Sequence, residues 1–382
     1  MVADSASFPA HHSWVLSLRA NGLLDRTKLS QRDRDVVDEK VQRPLPTVTG
    51  IAAKLAITAL KTHNVAIAPL LQRAGLSEDF DVRQQRISAA SQGKLLEYAA
   101  EAMDDSAFGF HLAEEANPRE AGLVFYVAAA ARDVGEAVAL FARYSRIANE
   151  AARFKPVHGP EGIVAEIDFV GLSRHTATHV IEFDVALTIK GLREIAGRKI
   201  RPTHLSFLHA RNSNLREFEA FFGCPVEFGA SGDQVAFSNE TLALPLVTED
   251  PHLLETLRPI CDEAAKERGT ATGSLRAAVE NEAQKLLPHG KAQRHRVAKT
   301  LGHSGRTLTR KLAYEGTTYE QVLDQLRQSL AHQYIKERGV SLSQIAWLLG
   351  YEGSTSFNHA FRRWTGQSPS AARNQKQLPA PG

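Results

Sequence analysis

Residues 341–369 read SLSQIAWLLGYEGSTSFNHAFRRWTGQSP, and this stretch decides the fold of the C-terminal part of the chain. Ala346 lies four residues before Gly350, where a helix can end at little cost because glycine readily adopts a positive φ. Phe357 and Phe361 are four residues apart and therefore share one face of the next helix. A helix, a glycine turn and a second amphipathic helix form the pattern of a helix-turn-helix.

The same pattern occurs a second time in residues 296–312, which read RVAKTLGHSGRTLTRKL. Ala298 and Gly302 repeat the four-residue spacing, and Ser304 is placed to cap the helix that follows. Leu308 comes six residues after its glycine, whereas the first phenylalanine of the other unit comes seven after its own, so that turn is predicted to be one residue longer. The alanines of the two units are 48 residues apart, and such a tandem pair indicates a DNA-binding protein.

A longer helix is predicted between the two units. Thr318 and Gln321 fit a capping box at its start, and Gly339 fits its end. A helix over residues 319–338 would be about 30 Å long, close to the roughly 34 Å of one turn of B-DNA. This linker helix is therefore expected to place two recognition helices in successive major grooves.

Residues 291–373 resemble the DNA-binding domain of the AraC/XylS family of bacterial transcription regulators, on the stretch 341–369 and on RTLTRKLAYEG at 306–316. Two positions depart from the family pattern. His359 stands where most relatives carry arginine, and Ala372 stands where an aromatic residue usually precedes the last arginine. The resemblance implies that the chain binds double-stranded DNA and acts on transcription together with RNA polymerase.

The distribution of charge supports a separate DNA-binding domain. The whole chain has a net charge of +3, but residues 290–376 carry 14 Lys and Arg against 5 Asp and Glu, a net +9. The remainder therefore carries −6. A basic block beside an acidic body is expected when one domain binds nucleic acid.

Side chains on the two recognition helices are the predicted DNA contacts. On the first helix, where arginine suits guanine, they are Arg306, Thr307, Thr309 and Arg310. On the second helix they are Ser354, Thr355, Asn358, His359, Arg362 and Arg363. The first four residues of that second set are polar but weakly basic, so base reading and phosphate positioning are both open there.

Residues 47–249 are predicted to form an α+β regulatory domain that is mostly helical with a small sheet. Helical spacing continues to about residue 152, and a β-hairpin with its turn at 158–162 follows. Later strands are predicted at 203–209, 226–228 and 234–237. The region resembles the arabinose-binding-type N-terminal domain of certain AraC relatives, on the stretches GLVFY at 122–126, EAVALFARY at 136–144 and FGCPVEFG at 222–229.

The remaining segments complete the predicted domain division. Residues 1–46 are expected to be a mobile extension with a short helix at 13–24, and residues 377–382 a tail. Helices over 250–268 and 274–287 are predicted to connect the regulatory domain to an all-α DNA-binding domain at 290–376, with 288–290 as a hinge. We also predict a homodimer, formed through the body or through these connecting helices.

The resemblance implies an unidentified small-molecule effector. Aromatic and basic residues that could line its pocket are Tyr126, Arg143, Tyr144 and Phe154. Aromatic residues at helical spacing also form cores, so both roles stay open for this set. His175, His179 and Glu182 have the spacing of three ligands on one helix face, but such polar residues more often form hydrogen bonds, and neither a metal nor a cofactor is predicted.

The sequence contains no nucleotide-binding loop and no catalytic serine or cysteine pattern, so an enzyme is not predicted. Two other function classes stay open: an enzyme domain fused to a DNA-binding module, and an architectural DNA binder without an effector. Cys224 and Cys261 do not indicate a disulfide. No basic and apolar leader and no apolar run of membrane-spanning length occurs, which predicts a cytoplasmic protein.

Overall fold

The computed structural model describes residues 45–77, 86–268, 274–337 and 339–375, without the side chains of residues 289 and 375. The predicted helix at 13–24, nearly all of the predicted extension 1–46, and the tail at 377–382 lie outside these described residues.

The first part of the described chain is helical, as its spacing predicts. Its helices are α1 (Ile51–Thr62), α2 (Ala68–Ala74), α3 (Ala89–Ala102), α4 (Phe108–Glu115), α5 (Leu123–Ala129) and α6 (Val134–Tyr144). Two short strands that the spacing does not predict, β1 (Thr47–Val48) and β2 (Ile87–Ser88), pair antiparallel beside them. The α+β class predicted for this domain is confirmed.

A five-stranded sheet follows. Its strands are β3 (Ala152–Gly159), β4 (Gly162–Phe169), β5 (His204–Phe207), β6 (Val226–Phe228) and β7 (Asp233–Ser238). They lie in the order β3-β4-β7-β5-β6, and all neighbours are antiparallel except β5 and β6. The predicted hairpin is confirmed, because β3 pairs with β4 along its whole length and Gly159 lies opposite Gly162.

A long helix, α7 (Thr178–Ala196), connects the hairpin to β5. It is preceded by a 3-10 turn at Arg174–Thr176. Twelve of its 19 residues are buried, which makes it the central helix of the N-terminal core. The other helices of this domain are α8 (Leu215–Phe222), α9 (Asn239–Leu242) and α10 (Pro251–Glu267).

The C-terminal part has a hydrophobic core of its own. Its helices are α11 (Leu275–Leu286), α12 (Arg294–Thr300), α13 (Gly305–Tyr314), α14 (Tyr319–Lys336), α15 (Leu342–Leu348), α16 (Ser354–Thr365) and α17 (Pro369–Gln375). The predicted connecting segment is divided between the two cores. Cys261 of α10 is buried in the first core, whereas Val279 and Ala283 of α11 are buried in the second.

The two helix-turn-helix units have the predicted turns. Gly302 and Gly350 adopt φ values of 70° and 73°, and the hydroxyl of Ser304 caps α13 by accepting a hydrogen bond from the backbone N–H of Thr307. The second turn is one residue longer, and Gly353 precedes α16 without a side-chain cap. The linker helix α14 has the predicted capping box but ends at Lys336, so its 18 residues span about 27 Å.

Two further findings concern the described residues as a whole. No helix among them is both long enough and apolar enough to cross a membrane. Cys224 and Cys261 are buried free thiols.

Gly350 brings the second unit close to the start of the DNA-binding domain. A Cβ atom at this position would lie 2.5 Å from the carbonyl oxygen of Leu287, whereas a Cβ atom at Gly302 would have no atom within 4 Å. Both glycines have nearly the same positive φ, so only the close approach differs.

We predict that Gly302→Ala lowers the free energy of unfolding by about 1–2 kcal/mol, the cost of a left-handed alanine. Gly350→Ala should cost clearly more, because the backbone of Leu287 must also move. Urea unfolding followed by tryptophan fluorescence measures this, since Trp347 and Trp364 lie in the C-terminal domain. Equal losses for the two variants would contradict the close packing at Gly350.

Candidate nucleic-acid interface and effector cavity

The first recognition helix, α13, presents a polar face opposite its buried leucines. Leu308 and Leu312 are fully buried, whereas Arg306, Thr309 and Arg310 are exposed. Within the described part of the chain, neither Arg306 nor Arg310 has an ion-pair or hydrogen-bond partner. Thr309 donates its hydroxyl to the carbonyl oxygen of Gly305 at 3.0 Å, which leaves the hydroxyl oxygen as an acceptor.

Thr307 has a different environment from the other predicted contacts on α13. It is half-buried, its backbone N–H donates to the Ser304 hydroxyl at 3.1 Å, and the two hydroxyls lie 2.9 Å apart. Its side chain therefore belongs to the cap of the recognition helix as well as to the surface.

The second recognition helix, α16, is fixed by the burial of Phe357 and Phe361. The predicted contacts that it leaves exposed, and that have no partner among the described residues, are Ser354, Thr355, Asn358, His359 and Arg362. Arg363 is exposed too, but its guanidinium donates to the Asp324 carboxylate of α14 at 2.6 Å. The Trp364 indole N–H donates to the other oxygen of Asp324 at 3.0 Å.

The linker helix α14 therefore bonds to both units. At its start, the hydroxyl of Tyr319 donates to the carbonyl oxygen of Ala292, just before α12, at 2.9 Å. Further along, Arg327 donates to the carbonyl oxygen of Leu349 at 2.9 Å, and its guanidinium lies 4.8 Å from the ring of Tyr351. These bonds attach both helix-turn-helix units to the same linker helix.

The N-terminal domain contains a cavity of about 100 Å³, here called the apolar chamber. It lies between α5, α6, α7 and the sheet. Bulky residues of its lining are Phe125, Phe141, Phe154, Ile167, Leu192 and Phe237. Thr188 is the one lining residue with a polar side chain, and its hydroxyl already donates to the carbonyl oxygen of Asp184 at 2.7 Å. The chamber therefore offers almost only carbon to a ligand.

A second cavity of about 70 Å³, the polar chamber, adjoins the first and shares Phe141, Phe154 and Thr188 with it. Its lining includes the side chains of Gln92, Ser145, Asn149 and Asp184. Asp184 is the charged group among them. Its side chain lies deep in the domain but keeps some accessible surface. Because Asp184 lines the polar chamber, this surface faces the chamber.

The environment of Asp184 disfavours its charged form. Burial raises the pKa of the carboxyl to about 7, although Asn149 opposes this shift by donating to Oδ2 at 3.0 Å. Oδ1 accepts no hydrogen bond from the residues that the structure describes. Gln92 also has an oxygen, Oε1, that is buried without a hydrogen-bond partner.

The four predicted effector residues do not surround one cavity. Phe154 lines both chambers, but Tyr126 is exposed, and neither Arg143 nor Tyr144 lines a chamber. Arg143 and Tyr144 instead donate to the carboxylate of Asp262, at 2.8 and 2.9 Å, and so attach α6 to α10.

The three residues with metal-ligand spacing have separate roles. His175 lies in the 3-10 turn, His179 accepts from the backbone N–H of Gly109 at 3.3 Å, and Glu182 belongs to a buried ionic network. One other cluster, His111 with Glu114 and Glu217, has its donor atoms close together. Hydrogen bonds to Asp105 and Glu217 occupy both nitrogens of His111 and help raise its pKa to about 9, and a protonated imidazole does not bind a metal.

The buried ionic network surrounds the 3-10 turn. Arg174 and Asp233 are each 3% exposed and form two hydrogen bonds, of 2.5 and 2.6 Å. Arg174 also donates to Nδ1 of His209 at 2.9 Å, and His209 donates from Nε2 to Glu182 at 2.8 Å. Burial, followed by Arg174 and Arg211, lowers the pKa of His209 well below its usual value, so the imidazole is neutral.

The segment that contains this turn joins the two domains. The side chain of Asn281, on α11, donates to the carbonyl oxygens of Phe169 and Leu172 at 3.0 Å each and accepts from the backbone N–H of Arg174 at 2.6 Å. Gln333, on α14, donates to the carbonyl oxygen of His175 at 2.6 Å. Both helices belong to the C-terminal core, so residues 169–176 contact that core, as do Asn212 and Ser213, which donate to the Gly339 carbonyl oxygen and to Glu337.

Comparison with known proteins assigns both parts of the chain. Residues 65–246 match the arabinose-binding domain of AraC transcription regulator, N-terminal, and residues 297–375 match a helix-turn-helix domain. The ornithine utilization regulator of Pseudomonas aeruginosa is 26% identical over 295 residues, which are 73% of this chain and 82% of that protein. The chain belongs to the AraC family of transcriptional regulators.

Other comparisons cover different shares of the chain. The HTH-type transcriptional regulator VirS of Mycobacterium tuberculosis is 30% identical over 188 residues, 49% of this chain and 54% of VirS. The crystal structure of transcriptional regulator CdpR from Pseudomonas aeruginosa is similar over 85% of this chain and 98% of that chain, with 22% identity and a TM-score of 0.43. The matched relatives are DNA-binding transcription regulators and not enzymes, and this AraC-family chain is likewise a DNA-binding transcriptional regulator.

Sequence reasoning on this AraC-family chain missed Asp184 and Gln92. A signal for Asp184 was present, because residues 180–189 read VIEFDVALTI and place two acids in an otherwise apolar stretch of a buried helix. One of the two, Glu182, is paired with Arg211 and accepts a hydrogen bond from the neutral His209. The other, Asp184, has no such partner in the described part of the protein.

Proposed function

We propose that this AraC-family protein is an effector-responsive, sequence-specific regulator that places α13 and α16 in successive major grooves. The observation that carries the proposal is that both helix-turn-helix units are bonded to one linker helix, and that both recognition helices leave their polar faces exposed. The length of α14, about 27 Å, is close to the roughly 34 Å of one turn of B-DNA. The bonds of Tyr319, Arg327 and Asp324 to the two units support a fixed spacing.

The two recognition helices are expected to contribute unequally to DNA binding. Arg306 and Arg310 of α13 are the side chains best suited to guanine edges or phosphate, because no described residue neutralises them. On α16, Arg363 is already paired with Asp324, which leaves Arg362 as the unpaired cation. We infer that α13 supplies most base contacts, and that Ser354, Thr355, Asn358 and His359 mainly position the DNA backbone.

An effector in the chambers would reach the DNA-binding domain through α7. That helix lines both chambers and starts directly after residues 169–176, to which α11 and α14 are bonded. A ligand that moves α7 therefore changes how the DNA-binding domain is placed. Coupling between such sites is usually about 1–3 kcal/mol. The RNA polymerase contact expected of the family completes the proposed function.

We also propose that the regulator is a homodimer. Leu253 and Ile260 of α10 lie seven residues apart on one helix face and are 40% and 48% exposed. An apolar stripe of this kind suits a twofold interface. Sedimentation of the full chain should give a dimer at tens of micromolar, and Leu253→Glu with Ile260→Glu should give a monomer. A wild-type monomer that binds DNA one per operator would contradict the dimer.

DNA binding is predicted to depend on salt and on Arg310. In a mobility-shift assay on DNA upstream of the neighbouring operon, affinity should fall steeply with salt, because Lys and Arg displace condensed counterions. Arg310→Ala should cost about 1–3 kcal/mol if it reads a base. If Arg310 reads a base, Arg310→Lys should recover little of the lost DNA affinity. If Arg310 contacts phosphate, Arg310→Lys should recover most of it.

Arg198→Ala is the matched control, because Arg198 is exposed in the regulatory domain. It should bind DNA like the wild type. Full-affinity binding by residues 1–289, or an unchanged affinity for Arg310→Ala and Arg306→Ala together, would contradict the proposed interface. Binding that is insensitive to DNA sequence and to every metabolite would favour an architectural DNA binder.

A further inference from the structure

The polar chamber contains a carboxylate without a counter-charge. The carboxylate of Asp184 accepts one hydrogen bond, from Asn149, and no described Lys, Arg or His lines either chamber. The buried acids of the neighbouring network differ in this respect, since Glu182 bonds to Arg211 and Asp233 bonds to Arg174. Buried charges in proteins are normally paired, so the charged form of Asp184 lacks the partner that such a group requires.

Two hydroxyls in the lining of the polar chamber already donate to backbone carbonyl oxygens, and Asp184 keeps one free acceptor. The hydroxyl of Thr188 donates to the carbonyl oxygen of Asp184 at 2.7 Å, and that of Ser145 donates to the carbonyl oxygen of Ala142 at 3.4 Å. Oδ1 of Asp184 accepts no hydrogen bond from the described residues, whereas Oε1 of Gln92 is covered by protein atoms and does not reach the chamber. A ligand group that meets Oδ1 of Asp184 must therefore donate a hydrogen bond to it.

The size and lining of the apolar chamber limit the rest of the ligand. The two volumes, about 100 and about 70 Å³, are of the order of the roughly 150 Å³ apolar cavity that accommodates benzene in another protein. A sugar would bring its hydroxyls against the carbon of Phe125, Phe154 and Leu192, where they would lose hydrogen bonds to water. A carboxylate would meet Asp184, a like charge.

We propose that the two adjoining chambers bind a small amine with a compact apolar body, whose ammonium group pairs with Asp184 while the body fills the apolar chamber. This assignment rests on the proposed effector-responsive function and names the chemical class of the effector. The proposed ligand is not a sugar, although the matched domain is named an arabinose-binding domain, because the chamber beside the one that holds Asp184 is lined by carbon.

The test is isothermal titration calorimetry on the full-length protein with three probes that share one ring: benzylamine, benzyl alcohol and benzoate. Benzylamine should bind about tenfold or more tightly than benzyl alcohol, because it adds an ion pair in a water-poor site. Benzoate should bind most weakly of the three. Equal binding of benzylamine and benzoate would overturn the assignment.

The role of Asp184 is tested by Asp184→Asn, which keeps the shape of the side chain and removes its charge. The variant should lose about tenfold or more of the benzylamine affinity and little of the benzyl alcohol affinity. Glu161→Gln is the control. It makes the same chemical change as Asp184→Asn, from a carboxylate to an amide, at an exposed residue of the hairpin turn away from the chambers. An unchanged benzylamine affinity in Asp184→Asn would overturn the assignment.

The pH dependence of binding gives an independent readout. Burial raises the pKa of free Asp184 to about 7, against the opposing effect of the Asn149 hydrogen bond. Benzylamine stays protonated, so its affinity should rise about tenfold between pH 6 and pH 8 as the carboxyl ionises. Benzyl alcohol should show no such rise. A benzylamine affinity that falls over this range would contradict the ion pair.

Folding of the variant is checked by thermal unfolding without ligand. A carboxyl whose folded pKa is raised destabilises the protein increasingly as pH rises from its unfolded pKa towards 7. Asp184→Asn should therefore melt at or above the wild-type temperature at pH 8. Mobility-shift assays on the same samples separate the two proposals. A protein that binds DNA but not benzylamine refutes the proposal of an amine ligand. A protein that binds no DNA refutes the proposed function.

Discussion

The buried ion pair between Arg174 and Asp233 is the interaction on which the arrangement of the two domains depends. Two hydrogen bonds of 2.5 and 2.6 Å join these groups, and each side chain is 3% exposed. Asp233 also accepts from the backbone N–H of Leu208 at 2.9 Å, and so fixes the start of β7 to the end of β5. Removing one partner of such a pair leaves a buried charge and usually costs about 3–5 kcal/mol.

The position of Arg174 explains why a pair within one domain matters for the other. Its side chain is bonded to the regulatory domain, while its backbone N–H donates to Asn281 of α11. The next residue, His175, offers its carbonyl oxygen to Gln333 of α14. The α7 helix that begins just beyond carries Asp184 and Thr188 into the chambers. A single short segment therefore connects the cavity, the ionic network and the linker helix.

The C-terminal domain could be predicted from the sequence because its determinants are local. Glycines at positive φ, the Ser304 cap and the Thr318 capping box act over a few residues, and all of them occur in the structure. The β-hairpin has the same local character. The placement of α11 in the C-terminal core was not predicted, because its small buried residues, such as Ala283, suit either a connector or a core helix.

The candidate sites depend on contacts between distant residues, and there the sequence is less informative. Arg363 is separated from Asp324 by 39 residues, and Arg143 from Asp262 by 119. No spacing rule reveals either pair, so Arg363 was predicted as a DNA contact and Arg143 as a pocket residue. The apolar chamber arises where α5, α6, α7 and the sheet leave space between them, and the polar chamber also involves the start of α1 and Gln92 of α3, which no single segment encodes.

The central claim is that residues 169–176 couple the cavity helix to the DNA-binding domain. Hydrogen exchange measured by mass spectrometry tests it most directly, in Asn281→Ala and in Gln328→Ala as a control on α14. The account predicts faster exchange in Asn281→Ala at the 3-10 turn, at the start of α7 and in α14 together, with no change in Gln328→Ala. Faster exchange confined to α11 would contradict the coupling.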